Sequence, residues 1–360
     1  MGQPVNVGIV GCGAISAQYL RTIERLPQVR LVAVADLDLE RAREAVLPYP
    51  EVEVLGVAEL MADPRIGVVL NLTIPAAHAE IALLAVAAGK DVYCEKPLAA
   101  TSEEARRVLR AAEEAGVRVG CAPDTVLGTG TQTARVAIDD GLIGRPVAAT
   151  ATMMTPGHER WHPNPDFYYV PGGGPLLDMG PYYITSLVTM LGPVASVIGA
   201  AGRTRSKRTI GSGPRQGEEI PVTVDTHVTG VLVHASGALS TLVMSFDAAA
   251  TQAPRIEVHG EQGSLVVPDP NHFDGPVLLS GVGDEGWRTL PESAGYAGAG
   301  RGVGLLDFAA TGEPRAGGTL AFHVLDIMES LLASAHSGRA VTVESTCERP
   351  RPVALETAGG

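Results

Sequence analysis

Aromatic side chains are scarce, at 4% of 360 residues, and the four cysteines, at 12, 94, 121 and 347, show no paired spacing. That pattern excludes a zinc motif and a disulfide framework, and reduced thiols in a cytoplasm fit it best. No apolar run approaches the ~18 to 20 residues of a membrane helix. Positive charge is in deficit: 27 Lys and Arg against 40 Asp and Glu give a net −13. Such a surface repels nucleic acid and anionic lipid, so the expected partner is a small molecule. The amino terminus runs into a strand without a basic leader or cleavage site. Met1-Gly2 resembles an acylation signal only until Asn6, where Ser or Thr is needed. A cytoplasmic protein with no nucleic-acid or membrane partner is the expectation.

What the chain does have is glycine at one telling junction. Val5 to Val10 reads as a buried strand, followed by Gly11-Cys12-Gly13-Ala14-Ile15-Ser16 and an apolar-periodic helix through Tyr19, Leu20 and Ile23. Glycines there permit a tight turn and close approach of a pyrophosphate to the helix start. The third position of the fingerprint is Ser16, still small enough for close packing. A second strand, Leu31 to Ala35, ends in Asp36, about 20 residues on, where the ribose-binding acid belongs. A carboxylate there repels a 2′-phosphate and favours NAD, while Arg41 and Arg43 nearby keep NADP open. Strand and helix then alternate: a strand from Val68 to Leu72, a helix from His78 to Ala88, and a strand from Asp91 running into Glu95-Lys96-Pro97. A helix from Ser102, with Ser102 as cap, and a strand from Arg118 to Ala122 complete the pattern. Such alternation predicts a doubly wound parallel sheet over residues 1–122.

Three motifs together, the Gly11-x-Gly13 fingerprint, Thr73-Ile74-Pro75-Ala76-Ala77-His78 with Glu95-Lys96-Pro97, and Gly172 to Tyr183, resemble the glucose-fructose oxidoreductase, inositol dehydrogenase and MocA family. The resemblance implies an α/β chain, a Rossmann domain followed over 123–360 by a domain with an open, mostly antiparallel sheet. It implies hydride transfer between NAD(P) and a secondary alcohol or ketone of a sugar, polyol or related carbohydrate, in a homodimer or homotetramer joined through the C-terminal sheet. By the same likeness Thr73, Pro75, His78 and Glu95 belong with the cofactor. Lys96 looks like the lysine bridging substrate hydroxyl and nicotinamide ribose, and Asp178 like the active-site aspartate. Tyr182 stands where many members have histidine.

The second domain departs from the usual pattern after Ala122. Asp124 and Thr125 either face ligands or cap a turn. His158 to Tyr169 is dense in His, aromatics and proline; Pro163 and Pro165 make it a loop, and no third ligand follows at zinc spacing, so no metal is expected. Trp161, His162 and Tyr168 are the candidates to face a sugar. Pro181 suits a first helical position, which places Asp178 just before a helix and Tyr182 in its first turn. Strands Val194 to Ala200, Val222 to His234, Leu239 to Phe246, Arg255 to His259 and Ser264 to Val267 follow, with hairpin signals at Ser236-Gly237 and Gln262-Gly263. Arg203 to Arg208 reads as a solvated hairpin tip, residues 281–318 as either a lid or a long surface connection without a clear element, and His323 as a packed helix histidine in preference to one that approaches the site.

A phenol titrates near ~10. A Lys96 ammonium ~4 Å away, at an effective dielectric of ~20, interacts with it by up to ~4 kcal/mol, or ~3 pKa units, enough to make Tyr182 an acid/base at that distance; a carboxylate at Asp178 opposes phenol ionisation, and His162 is the alternative base. Two rival readings share the motifs: a redox-assisted glycosidase or lyase with tightly held NAD, and a non-catalytic ligand sensor.

Overall fold

The computed structural model of the protein describes residues 3–310 and 312–359; Met1 and Gly2, and with them the acylation question, lie outside. By contacts the chain forms two units. The first takes residues up to 132 with 293–322 and 350 onward, and the second takes 133–292 with 323–349. The sequence pattern places one boundary at 122/123, whereas the contacts make both units discontinuous. The returning segments are tied in by specific bonds. Asp124 accepts from the backbone N–H of Gly302 and Gly304, Gln132 Oε1 accepts from Val353 N, and Tyr296–Ala297 pairs with Glu356–Thr357.

The first unit holds a six-stranded sheet in the order Glu53–Val54, Val29–Ala35, Val5–Val10, Val68–Asn71, Asp91–Cys94, Val119–Cys121. Every pairing is parallel. Val7, Ile9, Ala33, Val69, Leu70 and Val92 are at most 1% exposed, which is why these strands read as unbroken apolar runs: helices cover both faces. Strand order reverses between Val5–Val10 and Val68–Asn71, so the carboxyl end of Val5–Val10, at Gly11, lies at the topological switch point where such sheets bind ligands. The helix Ser102–Ala115 is capped by Thr101, whose hydroxyl accepts from Glu104 N; the expected cap was Ser102, one residue on.

The second unit is built on a nine-stranded sheet. Its centre pairs Pro146–Met154 with Leu239–Ser245 in parallel; Ile256–Gly260, Gly263–Val267, Leu278–Gly281 and Arg288–Thr289 extend one side, and His227–His234, Val194–Gly202 and Val341–Thr342 the other, all antiparallel. The helix Pro175–Leu191 packs on Leu239–Ser245, His227–His234 and Pro146–Met154, so Ser240, Leu242 and Met244 are buried while Leu239 and Thr241 are exposed. That alternation is the signature of a sheet covered on one face.

Three local expectations change. The helix begins at Pro175, not Pro181: both prolines can serve as a first helical residue, and the earlier one does, with Gly174 (φ 93) before it and Pro181 left inside the helix. Arg208 is not at a solvated tip but 1% exposed between two carboxylates. Residues 303–310 of the supposed connection form a helix, Val303–Ala310, with six of its residues buried.

Candidate functional site

In the first unit the glycine turn has the shape a pyrophosphate needs. Gly11 has φ 100, and a Cβ there would lie 2.7 Å from the carbonyl carbon of Leu72; at Gly13 an added Cβ would meet nothing within 4 Å. Gly11 is therefore a glycine because the neighbouring strand is close, and Gly13 because the space before it is open. Ala14 is exposed and Ile15 half-buried. The helix Ser16–Ile23 has no acidic residue in its first turn and no side-chain cap; Ser16 N and Gln18 N donate to the carbonyls of Gly13 and Ile15, and no side-chain charge cancels the partial positive charge of the helix start, which suits an anion. Asp36 is held in place by two backbone donors, Cys12 N at 2.7 Å and Asp38 N at 2.8 Å. Arg41 lies 3.6 Å from Asp36 and 3.3 Å from Asp38. These residues fit a dinucleotide, whose adenosine ribose hydroxyls Asp36 would accept from.

Other first-unit candidates are held by bonds among themselves and to the sheet edge. Glu95, 8% exposed, accepts from the Tyr19 hydroxyl at 2.8 Å and from Lys96 N at 2.8 Å, tying the first helix to the strand end that carries Lys96. His78, 1% exposed, faces the carbonyls of Pro97 (2.6 Å) and Thr73 (3.0 Å) with its two ring nitrogens. Burial holds its pKa below the ordinary value while those two acceptors pull the other way. Thr73 donates to Asn71 Oδ1 at 2.7 Å, and Pro75 opens the helix Pro75–Ala87. Lys96 itself is half-buried at the sheet's carboxyl edge. Asp124 is fully buried; burial pushes its carboxyl up to about 6 against the two N–H donors of Gly302 and Gly304. It holds a turn.

In the second unit Asp178 and Tyr182 lie four apart on one helix, hence on one face. Asp178 is half-buried and Tyr182 5% exposed. The structure adds a residue that sequence reasoning passed over: His158, whose Nε2 is 3.1 Å from Asp178 Oδ2. Its ring is packed by Phe246 at 4.4 Å, Tyr168 at 4.7 Å and Trp161 at 5.2 Å between centroids. His162 sits further out, 5.5 Å from Tyr168, with Asn164 N donating to its Nδ1 and burial lowering its pKa. Trp161, at 59% exposed, presents a face to solvent, so the loop packs on its own aromatics while leaving one stacking surface open. The loop is anchored from beneath. Arg208 donates to Glu159 (2.8 Å), to Asp247 and to the carbonyls of Pro156 and Phe246; the Tyr169 hydroxyl donates to Glu159 and accepts from His158 N at 3.1 Å.

The glycine run Gly172 to Gly174 does not open toward Asp178. It borders a cavity of ≈ 590 Å³ with Arg203, Asp225 and His336, and neither Asp178 nor Tyr182 lines that space. His323 is fully buried, accepting from Val194 N at 3.0 Å through Nε2 and facing Ser345 Oγ at 2.9 Å through Nδ1, as a packed helix histidine should.

Residues 5–122 match the family described as an oxidoreductase family with an NAD-binding Rossmann fold, and residues 131–266 match the GFO/IDH/MocA C-terminal domain. A 1,5-anhydro-D-fructose reductase of Ensifer adhaerens is 30% identical over 266 residues, covering 72% of this chain and 74% of that protein. A myo-inositol 2-dehydrogenase of Thermotoga maritima is 27% identical over 293 residues, 79% and 81% of the two chains. An inositol 2-dehydrogenase of Burkholderia cenocepacia is 36% identical over 149 residues, which span 44% of its length. Among solved structures, an NAD binding oxidoreductase from Klebsiella pneumoniae superposes with a TM-score of 0.82 at 25% identity over 94% of this chain and 99% of that one. Levoglucosan dehydrogenase in complex with NADH and levoglucosan superposes at 0.81 over 95% and 100%, and at 24% identity that likeness shows the fold.

Proposed function

The chain belongs to the GFO/IDH/MocA family of NAD-binding oxidoreductases, and on that premise we propose that it oxidises a secondary alcohol of a sugar, polyol or related carbohydrate, or reduces the ketone. The carrying observation is the polar pair of Asp178 and His158 set among aromatic faces in the second unit. Hydroxyls want such fixed polar partners, and the apolar face of a sugar ring wants aromatic surface. Lys96 is assigned to the reacting hydroxyl and the nicotinamide ribose, Asp178 and Tyr182 to holding the substrate, and Trp161, His162 and Tyr168 to its face. The nicotinamide, when bound, supplies the two-electron acceptor or donor.

NAD is favoured over NADP because Asp36 brings a carboxylate to the ribose position and Arg41 is engaged with Asp36 and Asp38. Assembly into a homodimer or homotetramer is supported by the uncovered face of the large sheet, where Ile198, Val231, Thr241 and Thr150 stand in register across four strands. Ile198 is 54% exposed there, and a row of Ile, Val and Thr suits burial against a second copy. Four buried, unpaired cysteines fit the reducing cytoplasm. Among the described residues no helix is long and apolar enough to cross a membrane.

The test is a panel of sugars, polyols, inositols and sugar acids with NAD and with NADP, followed by reduced-nicotinamide absorbance. Turnover of at least one member, faster with NAD, is expected. Silence across the panel overturns the carbohydrate reading, and a preference for NADP overturns the ribose argument.

A further inference from the structure

We infer that His158, oriented by Asp178, takes the proton of the reacting alcohol, and that Tyr182 does not. The inference rests on the dehydrogenase reading above. It begins with tautomers. An ionised carboxylate only accepts hydrogen bonds, so the hydrogen between Asp178 Oδ2 and His158 Nε2, 3.1 Å apart, sits on Nε2. That leaves the lone pair of a neutral imidazole on Nδ1, and among the described residues Nδ1 makes no hydrogen bond. A carboxylate that fixes one ring nitrogen as donor and leaves the other open is how a histidine base is poised, whatever the fold around it.

Burial and packing agree. The two side chains are 12% and 18% exposed, so their pairing is shielded from bulk water without being sealed. The ring cannot swing away, because Phe246, Tyr168 and Trp161 contact it and its own backbone N–H is held by the Tyr169 hydroxyl. The titratable groups around it are Asp178 from the helix and Glu159, His162, Tyr168 and Tyr169 from its own loop, with Arg208 bonded to the far side of Glu159. The chemistry favours imidazole as well. It is the side chain that ordinarily changes charge between about pH 5 and 8, whereas a phenol ordinarily titrates near ~10.

In the oxidative direction the carbinol O–H proton passes to Nδ1. The carbinol hydrogen would be taken up, as hydride with its electron pair, by a bound oxidised nicotinamide, and the oxygen's freed pair then closes the C=O bond. His158 is then an imidazolium against the Asp178 carboxylate and releases its proton to water. Alcohol and oxidised nicotinamide become ketone, reduced nicotinamide and one proton. In reduction the same nitrogen returns the proton.

The decisive comparison is His158→Gln against Tyr182→Phe on whichever panel substrate turns over. His158→Gln is expected to lose ~10²–10⁴ in kcat, the usual contribution of a general base, and with it the low-pH limb of the kcat/KM profile. NADH affinity and the thermal unfolding transition should stay at parental values, showing that cofactor site and fold are intact, and added imidazole should restore part of the turnover of His158→Ala. Tyr182→Phe should lose no more than about tenfold and keep the limb. If His158→Gln stays within tenfold and keeps the limb, or if Tyr182→Phe removes it, the inference is overturned while the dehydrogenase reading stands. A readout without turnover is the nitrogen-15 spectrum of His158: a neutral ring protonated on Nε2 is expected, and protonation on Nδ1 overturns the proposal. No turnover on any substrate overturns the dehydrogenase reading, and the proton step with it.

Discussion

Asp124 in the first unit and His323 in the second occupy matching situations: both are 0% exposed, and both accept backbone N–H groups. Burial disfavours the charged form of each, and because one is an acid and the other a base the consequences run in opposite directions. Asp124 is raised from 3.8 to about 6. Between those values the native state holds a proton that the unfolded state has lost, so stability from this group is full below about pH 4 and falls as pH rises through about 6. His323 is lowered from 6.5 to about 4. There the unfolded state gains the proton first, so stability is full above about 6.5 and is lost as pH falls toward about 4. A neutral His323 suits its partners, since Nε2 must keep its lone pair for Val194 N while Nδ1–H donates to Ser345. The lesson is that hydrogen bonds from amides hold a buried group in place without supplying the charge that would let it ionise.

The sharpest way to break this comparison is to remove a charge that is supplied. Arg208 neutralises Glu159 and Asp247 in the second unit, and Arg208→Met would leave both carboxylates buried without it. A loss of ~3–5 kcal/mol is expected in chemical denaturation of the second unit, with NADH affinity unchanged in whatever folded protein remains. A loss below ~1 kcal/mol would mean that the amide and hydroxyl donors around those acids suffice. Next in size are the two pH slopes, each worth up to ~3 kcal/mol by linkage. Amide exchange reads them locally. Protection of the Gly302 and Gly304 amides should weaken from pH 4 to 6.5 and that of Val194 should strengthen, once intrinsic exchange is divided out. Asp124→Asn should flatten the first trend alone; parallel trends would refute the opposition. The smallest effect is Thr101→Ala, which removes a single cap from the helix Ser102–Ala115 and should cost about 1 kcal/mol, with no pH dependence between 5 and 8.

The first unit was largely legible in the sequence because its signals are local. Gly11, Gly13 and Asp36 stand at spacings fixed by one strand, one turn and one helix, and the apolar runs follow from burial on both faces. What was not legible is how Glu95 is held: the Tyr19 hydroxyl that bonds it stands 76 residues away in sequence. In the second unit, Pro175 and Pro181 satisfy the same rule for a helix start, and the choice between them is made by packing on the sheet. His158 was hidden for a different reason. Its partner Asp178 lies 20 residues on, across a loop with three prolines and no periodicity, and the nearer His162, among more aromatics, drew attention instead. The Pro156-Gly157 turn before it, with Gly157 at φ 109, was the available signal, since a backbone so constrained points to a residue held in a set direction.

The discontinuity of the first unit has a consequence during synthesis. All six strands of its sheet have left the ribosome once residue 121 has emerged, yet the partners of Asp124 and Gln132, at Gly302, Gly304 and Val353, are made only much later. At ~5–20 residues per second the interval is on the order of tens of seconds. For that time a buried acid waits without its amide donors, and the nascent nucleotide-binding half is finished only after the second unit has been translated.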